Sequence, residues 1–297
     1  MDGKQQAQAC FTRDHYHELD IQYQPEQQAV WCYLRPTSRP CCTAELLTEL
    51  GHFCSAIEHR SKLDAENGKR DGLCFLVLAS RAPGVFSLGG DLALFLKLIR
   101  AGDRTGLFRY VKSCIDVLYM YYHMPITTIS LVQGDALGGG LEGALMSRVL
   151  IAEQQAQMGL PEILFNLFPG MGAYSLIARR LDPARAERLI LSGRIYSAEE
   201  LHEMGVVDVL AENGQGEEAV LAYMKKHNRA RNGYDAIHKV RQIYHPLSYD
   251  ELMRIGTLWV DTALQLSERD LRIMERIART QEKLTVLRPP VEVKQLA

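Results

Sequence analysis

The chain has no surplus of basic residues: 34 Lys and Arg stand against 36 Asp and Glu, a formal net charge of −2. A broad cationic surface is excluded by that balance, and nucleic acid is not expected as a partner. No apolar run approaches the roughly 20 residues that span a bilayer, and the polar opening MDGKQQAQACFTRDHYHELD lacks the apolar core of a signal peptide. The seven cysteines are odd in number and none forms a C-x-x-C pair, so neither a disulfide framework nor a zinc ribbon is indicated. A cytoplasmic protein with no membrane association and no structural metal is the expectation. Internal repeats and low-complexity segments are also missing. What is present is ordinary globular composition, 47% hydrophobic and 24% charged over 297 residues, enough for one large domain or two small ones.

The first half alternates strand and helix patterns. Segments 18–24 and 29–35, separated by a polar stretch with Pro25, predict an antiparallel hairpin. A helical periodicity follows Thr43, a good N-cap. Segments 73–80 and 126–133 are short apolar runs of the kind found in strands buried on both faces. Helical patterns cover 92–100 and 104–123, and a further strand pattern covers 148–153. From Gly170 onward the pattern is helical without alternating strands, ending in a pair over 249–267 and 268–283. Leu252, Ile255, Trp259, Ala263 and Leu266 make one apolar stripe of that pair. The Pro289–Pro290 tail is expected to be extended.

Three segments are candidates for chemistry. In SLVQGDALGGGLEGALM an apolar strand runs into Gly138, Gly139 and Gly140, with Glu142 at the mouth of a helix. Bare backbone at such a junction can aim N–H groups at a ligand oxygen. A nucleotide phosphate is disfavoured, because G-x-x-x-x-G-K-[ST] is absent and Glu142 would repel it; a developing enolate or oxyanion fits better. Tight helix packing would explain the same glycines. In RAPGVFSLGGDLALF, Gly89 and Gly90 precede Asp91, a second strand-to-helix junction able to supply a converging donor. In MGLPEILFNLFPGMGAYS, Glu162 stands in an otherwise apolar stretch, where burial would raise its pKa as a general acid or base needs. An ion pair of Glu162 with Arg179 or Arg180 is the competing reading.

Together, FSLGGDL, GDALGGGLEGAL and LPEILFNLFPGMGAYSL resemble the crotonase (enoyl-CoA hydratase/isomerase) superfamily, in order and spacing, over most of the chain. The LFPGMGAYS wording, the run RIGTLWVDTALQL and the length resemble more narrowly the branch that makes diffusible signal factors, the cis-2-unsaturated fatty acids of bacterial quorum sensing. The resemblance implies an α/β fold, a spiral of ββα units over 1–190, a helical region over 191–283 for trimerisation and active-site cover, and an extended tail over 284–297. It implies an oxyanion hole from the N–H groups of Gly90 and Gly139 and a catalytic pair Glu142 and Glu162, with no cofactor. In that branch the substrate is a 3-hydroxyacyl thioester of acyl carrier protein, which is dehydrated and then hydrolysed to the free acid. Met171 and Trp259 would line the acyl tunnel, and the partners would be the carrier protein, two further copies of the chain and a signal-sensing regulatory protein. Leu88-Gly89-Gly90-Asp91 departs from the Ala-Gly-Ala-Asp of many hydratases, which puts coenzyme A as donor in question.

The chemistry of the residues agrees: a thioester carbonyl in the hole acidifies its α-carbon, one glutamate takes the α-proton and the other protonates the departing 3-hydroxyl. A conventional enoyl-CoA hydratase or isomerase is the alternative enzyme, and a scaffold with a decayed site the non-enzymatic one. Retention of both glutamates disfavours the scaffold. Ser175 lacks the glycines of a G-x-S-x-G elbow, and His202-Glu203 lacks the second histidine of H-E-x-x-H. His15 and His17 share a strand face but read as surface histidines. KKHNRAR (225–231) reads as a solvated helix end, with an acidic carrier protein as its alternative occupant.

Overall fold

The computed structural model describes residues 16–66 and 72–287. Its elements in chain order are β1 (Leu19–Gln24), β2 (Ala29–Leu34), α1 (Ala44–Glu66), β3 (Phe75–Ser80), β4 (Val85–Ser87), α2 (Leu92–Arg100), α3 (Arg104–Tyr122), β5 (Thr127–Val132), β6 (Asp135–Leu137) and α4 (Gly139–Leu145). They continue with β7 (Val149–Glu153), β8 (Gln157–Gly159), α5 (Ala173–Arg180), α6 (Pro183–Ser192), β9 (Ile195–Ser197), α7 (Ala198–Met204) and β10 (Val209–Ala211). Four helices close the described chain: α8 (Gly216–Arg229), α9 (Arg231–Tyr244), α10 (Tyr249–Ala263) and α11 (Glu268–Leu287).

The strands form two sheets, ordered β1-β2-β3-β5-β7-β10 and β4-β6-β8-β9. Successive passes of chain place one strand in each: β3 then β4, β5 then β6, β7 then β8, with helices following, so the chain winds as a spiral of ββα units. The β1–β2 hairpin is antiparallel as expected, with Leu19 opposite Leu34. The central strands β3 and β5 pair in parallel and are buried on both faces, which is why their sequences carry continuous apolar runs. The Thr43 hydroxyl accepts from Leu46 N–H at 3.0 Å and starts α1. Asp91 caps α2 in the same way, through Leu94 N–H at 3.1 Å.

The second half differs from its sequence reading in three respects. It contains strands: β9 joins the smaller sheet antiparallel to β8, and β10 extends the larger one parallel to β7. Each is three residues long, too short to show a period of two. The helix expected over 249–267 ends at Ala263. The next runs to Leu287, four residues beyond Lys283, so the stretch from 284 begins as helix rather than extended chain. The Pro289–Pro290 segment and His15 lie outside the described residues. The expected stripe is otherwise present: Leu252, Trp259, Ala263 and Leu266 are buried and Ile255 half-buried.

What this fold does for chemistry is set by the smaller sheet. Strands β4, β6 and β8 are adjacent and parallel, with Ser87 beside Ala136 and Leu137 beside Gly159. All three candidate segments follow the C-terminal ends of these strands, so one end of the sheet gathers Gly89–Gly90, Gly138–Gly139 and Glu162. Segments as far apart in sequence as Gly90 and Glu162 become neighbours because parallel strands must all end on the same side.

Candidate active site

At the end of β4, the loop through Leu88, Gly89, Gly90 and Asp91 has almost every main-chain group engaged. Leu88 N–H donates to Pro40 O at 2.7 Å, and Gly89 O accepts from Cys42 N–H at 2.7 Å. Gly89 N–H reaches Ser87 Oγ at 3.3 Å, and Asp91 N–H reaches the Tyr110 hydroxyl at 3.2 Å. The Tyr110 hydroxyl in turn donates to Cys42 O at 2.6 Å. Gly90 N–H has no acceptor among the described residues. A trans peptide points its N–H opposite its C=O; since Cys42 holds the Gly89 carbonyl, the Gly90 N–H faces the other way.

The end of β6 is built in the same way. Gly138 takes φ +53 and ψ −125, a conformation that only glycine adopts without strain. Its carbonyl accepts from Leu141 and Glu142 N–H at 2.9 and 3.1 Å, pointing into α4. The peptide's other end, Gly139 N–H, therefore points out of the helix start, where the first N–H groups have no intrahelical partner. The two loops touch backbone to backbone: a Cβ on Gly139 would sit 3.3 Å from Gly90 N, and one on Gly89 would sit 2.7 Å from Gly139 N. Both free N–H groups border one cavity of ≈ 100 Å³.

The two glutamates line that cavity. Glu142 is buried on α4, and its Oε1 accepts from Met171 and Ala173 N–H at 2.9 Å each, capping the start of α5. Oε2 makes no hydrogen bond to the described residues. Burial pushes this carboxyl up to about 7, against the opposing effect of the Ala173 and Met171 N–H groups. Glu162 sits in a 3-10 turn, Pro161–Phe165, that follows β8. The residue keeps partial exposure, yet its Oε2 is sealed from solvent without a hydrogen-bond partner. Burial first, and the Glu142 charge second, push the Glu162 carboxyl up to about 8. The competing ion pairs are not made: Arg179 bonds Glu251 at 2.7 Å and Arg180 bonds Asp208 at 2.8 Å.

Apolar side chains complete the cavity, among them Met171, Trp259, Phe95, Val117 and Met146. Trp259 packs edge-on to Phe95 at 5.0 Å and lies against Gly170, where a Cβ would come within 2.4 Å of the indole. A second cavity of ≈ 240 Å³ shares Gly90, Gly139 and Glu162 with the first and opens toward Ile277, Thr280 and Gln281 of α11. The six residues singled out from sequence thus stand around one space. Tyr110, Gln281 and the thiols of Cys42 and Cys114 were not anticipated. Burial pushes the Cys42 thiol up to about 11 and Cys114 well above the thiol range, so both stay protonated and neither is a nucleophile.

The remaining candidates have local roles. Ser175 Oγ donates to Glu251 at 2.6 Å, and His202 Nδ1 lies 2.9 Å from Val207 O. Among the described residues no group of three or more His, Cys, Asp and Glu is placed to hold a metal ion, and no helix is long and apolar enough to cross a membrane.

Two sheets of mainly parallel strands wound as ββα units define the crotonase fold. Residues 63–280 match the enoyl-CoA hydratase/isomerase family, and the chain belongs to it. It is 33% identical over 157 residues to methylglutaconyl-CoA hydratase, mitochondrial, of Rattus norvegicus, covering 52% of this chain and 48% of that one. The chain thus spans about half the length of the curated relatives it matches. Among solved structures, Bacillus halodurans enoyl-CoA hydratase superposes with a TM-score of 0.71 at 22% identity, covering 87% of this chain and 99% of the other. Pseudomonas aeruginosa DspI superposes with a TM-score of 0.63 at 22% identity, covering 93% and 97%.

Proposed function

We propose that the protein dehydrates a 3-hydroxyacyl thioester of acyl carrier protein to a cis-2-enoyl thioester and hydrolyses it to the free cis-2-unsaturated acid, a diffusible signal. The observation that carries the acid–base part is the convergence of two unengaged N–H donors and two buried carboxylates on one apolar cavity. The thioester carbonyl sits between Gly90 and Gly139 N–H, the acyl tail lies in the inner cavity against Met171 and Trp259, and the carrier arm leaves through the outer one. In dehydration one glutamate takes the α-proton, the other protonates the departing hydroxyl, and water leaves. The carboxyl values of about 7 and about 8 are close enough that a singly protonated pair supplies either arrangement of its proton. The hole then still holds the carbonyl, and a water deprotonated by a glutamate attacks it; the tetrahedral anion collapses, breaking the C–S bond, and the departing thiolate takes up the proton the glutamate received.

The Leu88-Gly89-Gly90-Asp91 wording and the resemblance of the FPGMGAYS and RIGTLWVDTALQL runs support the signal-synthase branch. The relatives named as CoA hydratases support a second reading, conventional hydration of enoyl-CoA at the same site. We further propose a homotrimer, for which the exposed Ile237, Val240, Ile243 and Tyr244 of α9 offer an apolar face. The carrier protein's acidic surface would be received by Lys225 and Arg229, beside a surface cavity of ≈ 510 Å³. The test supplies matched 3-hydroxyacyl thioesters of acyl carrier protein and coenzyme A and follows free thiol, free acid and double-bond geometry. Release of a cis-2-enoic acid mainly from the carrier protein supports the proposal. Dehydration on coenzyme A without acid release replaces it with the hydratase.

A further inference from the structure

One polar side chain occupies a position in α11 that the helix otherwise gives to core residues. Leu271, Met274, Ala278 and Gln281 recur at spacings of three and four, and all four are buried. The first three pack in the apolar core. Gln281 instead sends Nε2 to two carbonyls of the β4 loop, Leu88 O at 2.9 Å and Gly90 O at 3.4 Å. These carbonyls flank the Gly89–Gly90 peptide, the one whose N–H is the unengaged donor of the site. The side chain also lines the outer cavity with Gly90, Gly139 and Glu162.

We propose that Gln281 is a positioning residue that sets the oxyanion donor. The peptide plane carrying Gly90 N–H can turn only if its neighbours turn with it. Cys42 N–H holds the plane's own carbonyl, Tyr110 holds the next N–H, and Gln281 holds the carbonyls before and after. Of these, Gln281 alone comes from the C-terminal helix, some 190 residues away in sequence. Seating α11 on the mouth of the site therefore also aims its donor: the helix that covers the substrate arm makes the hole competent. A donor preset in direction acts fully when charge develops on the oxygen, without reorganising at that moment.

This inference rests on reading Gly90 and Gly139 as the carbonyl-binding pair, and its test separates the two. Gln281→Met keeps the length and removes the donor; Gln281→Glu keeps the shape and replaces the donor with an acceptor. A 2-octenoyl thioester labelled with carbon-13 at the carbonyl is offered on coenzyme A and on acyl carrier protein, and its carbonyl stretch is read by infrared difference spectroscopy. The wild type shifts the stretch to lower frequency. A folded sample of either variant is expected to lose part of the shift and about tenfold in kcat, the effect of losing one hydrogen bond's worth of alignment, with KM changed less than twofold. A full shift with wild-type kcat in a folded variant overturns the proposal. Absence of a shift in the wild type on both carriers overturns the reading of the glycine pair and this inference with it.

Discussion

Oε1 of Glu162 lies 2.5 Å from the position a Cβ would occupy on Gly138. The glycine that turns β6 into α4 is thus also the floor against which the second carboxylate rests, and its φ of +53 with ψ of −125 is strained for any residue that carries a Cβ. Gly138→Ala must push Glu162 aside and strain the backbone at once. We expect a fall in melting temperature together with at least a tenfold loss of turnover, measured by thermal denaturation and a dehydration assay. Wild-type activity in this variant would mean that the Glu162 position is immaterial.

The other glycines of this run give a contrast. A Cβ on Gly139 would stand 3.3 Å from Gly90 N, in the space between the two donors, whereas one on Gly143 meets nothing within 4 Å. Gly143→Ala, inside α4, is expected to stabilise the protein by about 0.5–1 kcal/mol. Gly139→Val is expected to lower kcat far more than Gly143→Ala does. Equal effects on kcat at the two positions would make the glycine run a packing device.

Activity should follow a bell in pH. With Glu142 at about 7 and Glu162 at about 8, acidification protonates both carboxyls and removes the base, while alkalinisation ionises both and removes the acid. The log of kcat/KM against pH should therefore fall on both sides of a maximum between these values. A flat profile from pH 5 to 9 contradicts the pair as acid and base.

The same shifts bear on stability. A carboxyl held above its ordinary 4.5 binds its proton more tightly in the folded state than in the unfolded chain, so folding stability declines as pH rises from about 4.5 toward about 8. Glu162→Gln carries no charge to bury. Its melting temperature relative to wild type should rise steadily across that window, while its turnover falls by about a hundredfold or more. A melting difference independent of pH would show that Glu162 ionises as freely when folded as when unfolded.

Much of this site was legible because its parts are sequence-local. Glycine runs beside an acidic residue read directly as strand-to-helix junctions, and Glu162 stood out in its apolar surroundings. The hairpin and β3, β5 and β7 were legible from their alternating or continuous apolar patterns. The smaller sheet was not: β4, β6 and β8 hold three residues each, and nothing in so short a run has a period. Convergence of the two glycine loops was legible as a pair of junction donors, whereas the pairing of Glu162 with Glu142 beside them came only from family resemblance. Tyr110 and Gln281 were missed because their partners are main-chain atoms of distant segments. For Gln281 a signal existed, a polar residue on an otherwise apolar helical stripe.

Proton exchange α to a thioester by the two glutamates is read by deuterium uptake from D2O. A 3-hydroxyacyl thioester, on acyl carrier protein or coenzyme A, is incubated with the protein and its C2 position followed by mass spectrometry. Reversible dehydration by the wild type places deuterium at C2, and Glu142→Gln and Glu162→Gln each abolish the uptake while remaining folded. Uptake that survives in both variants, or none by the wild type on either carrier, contradicts acid–base catalysis by Glu142 and Glu162.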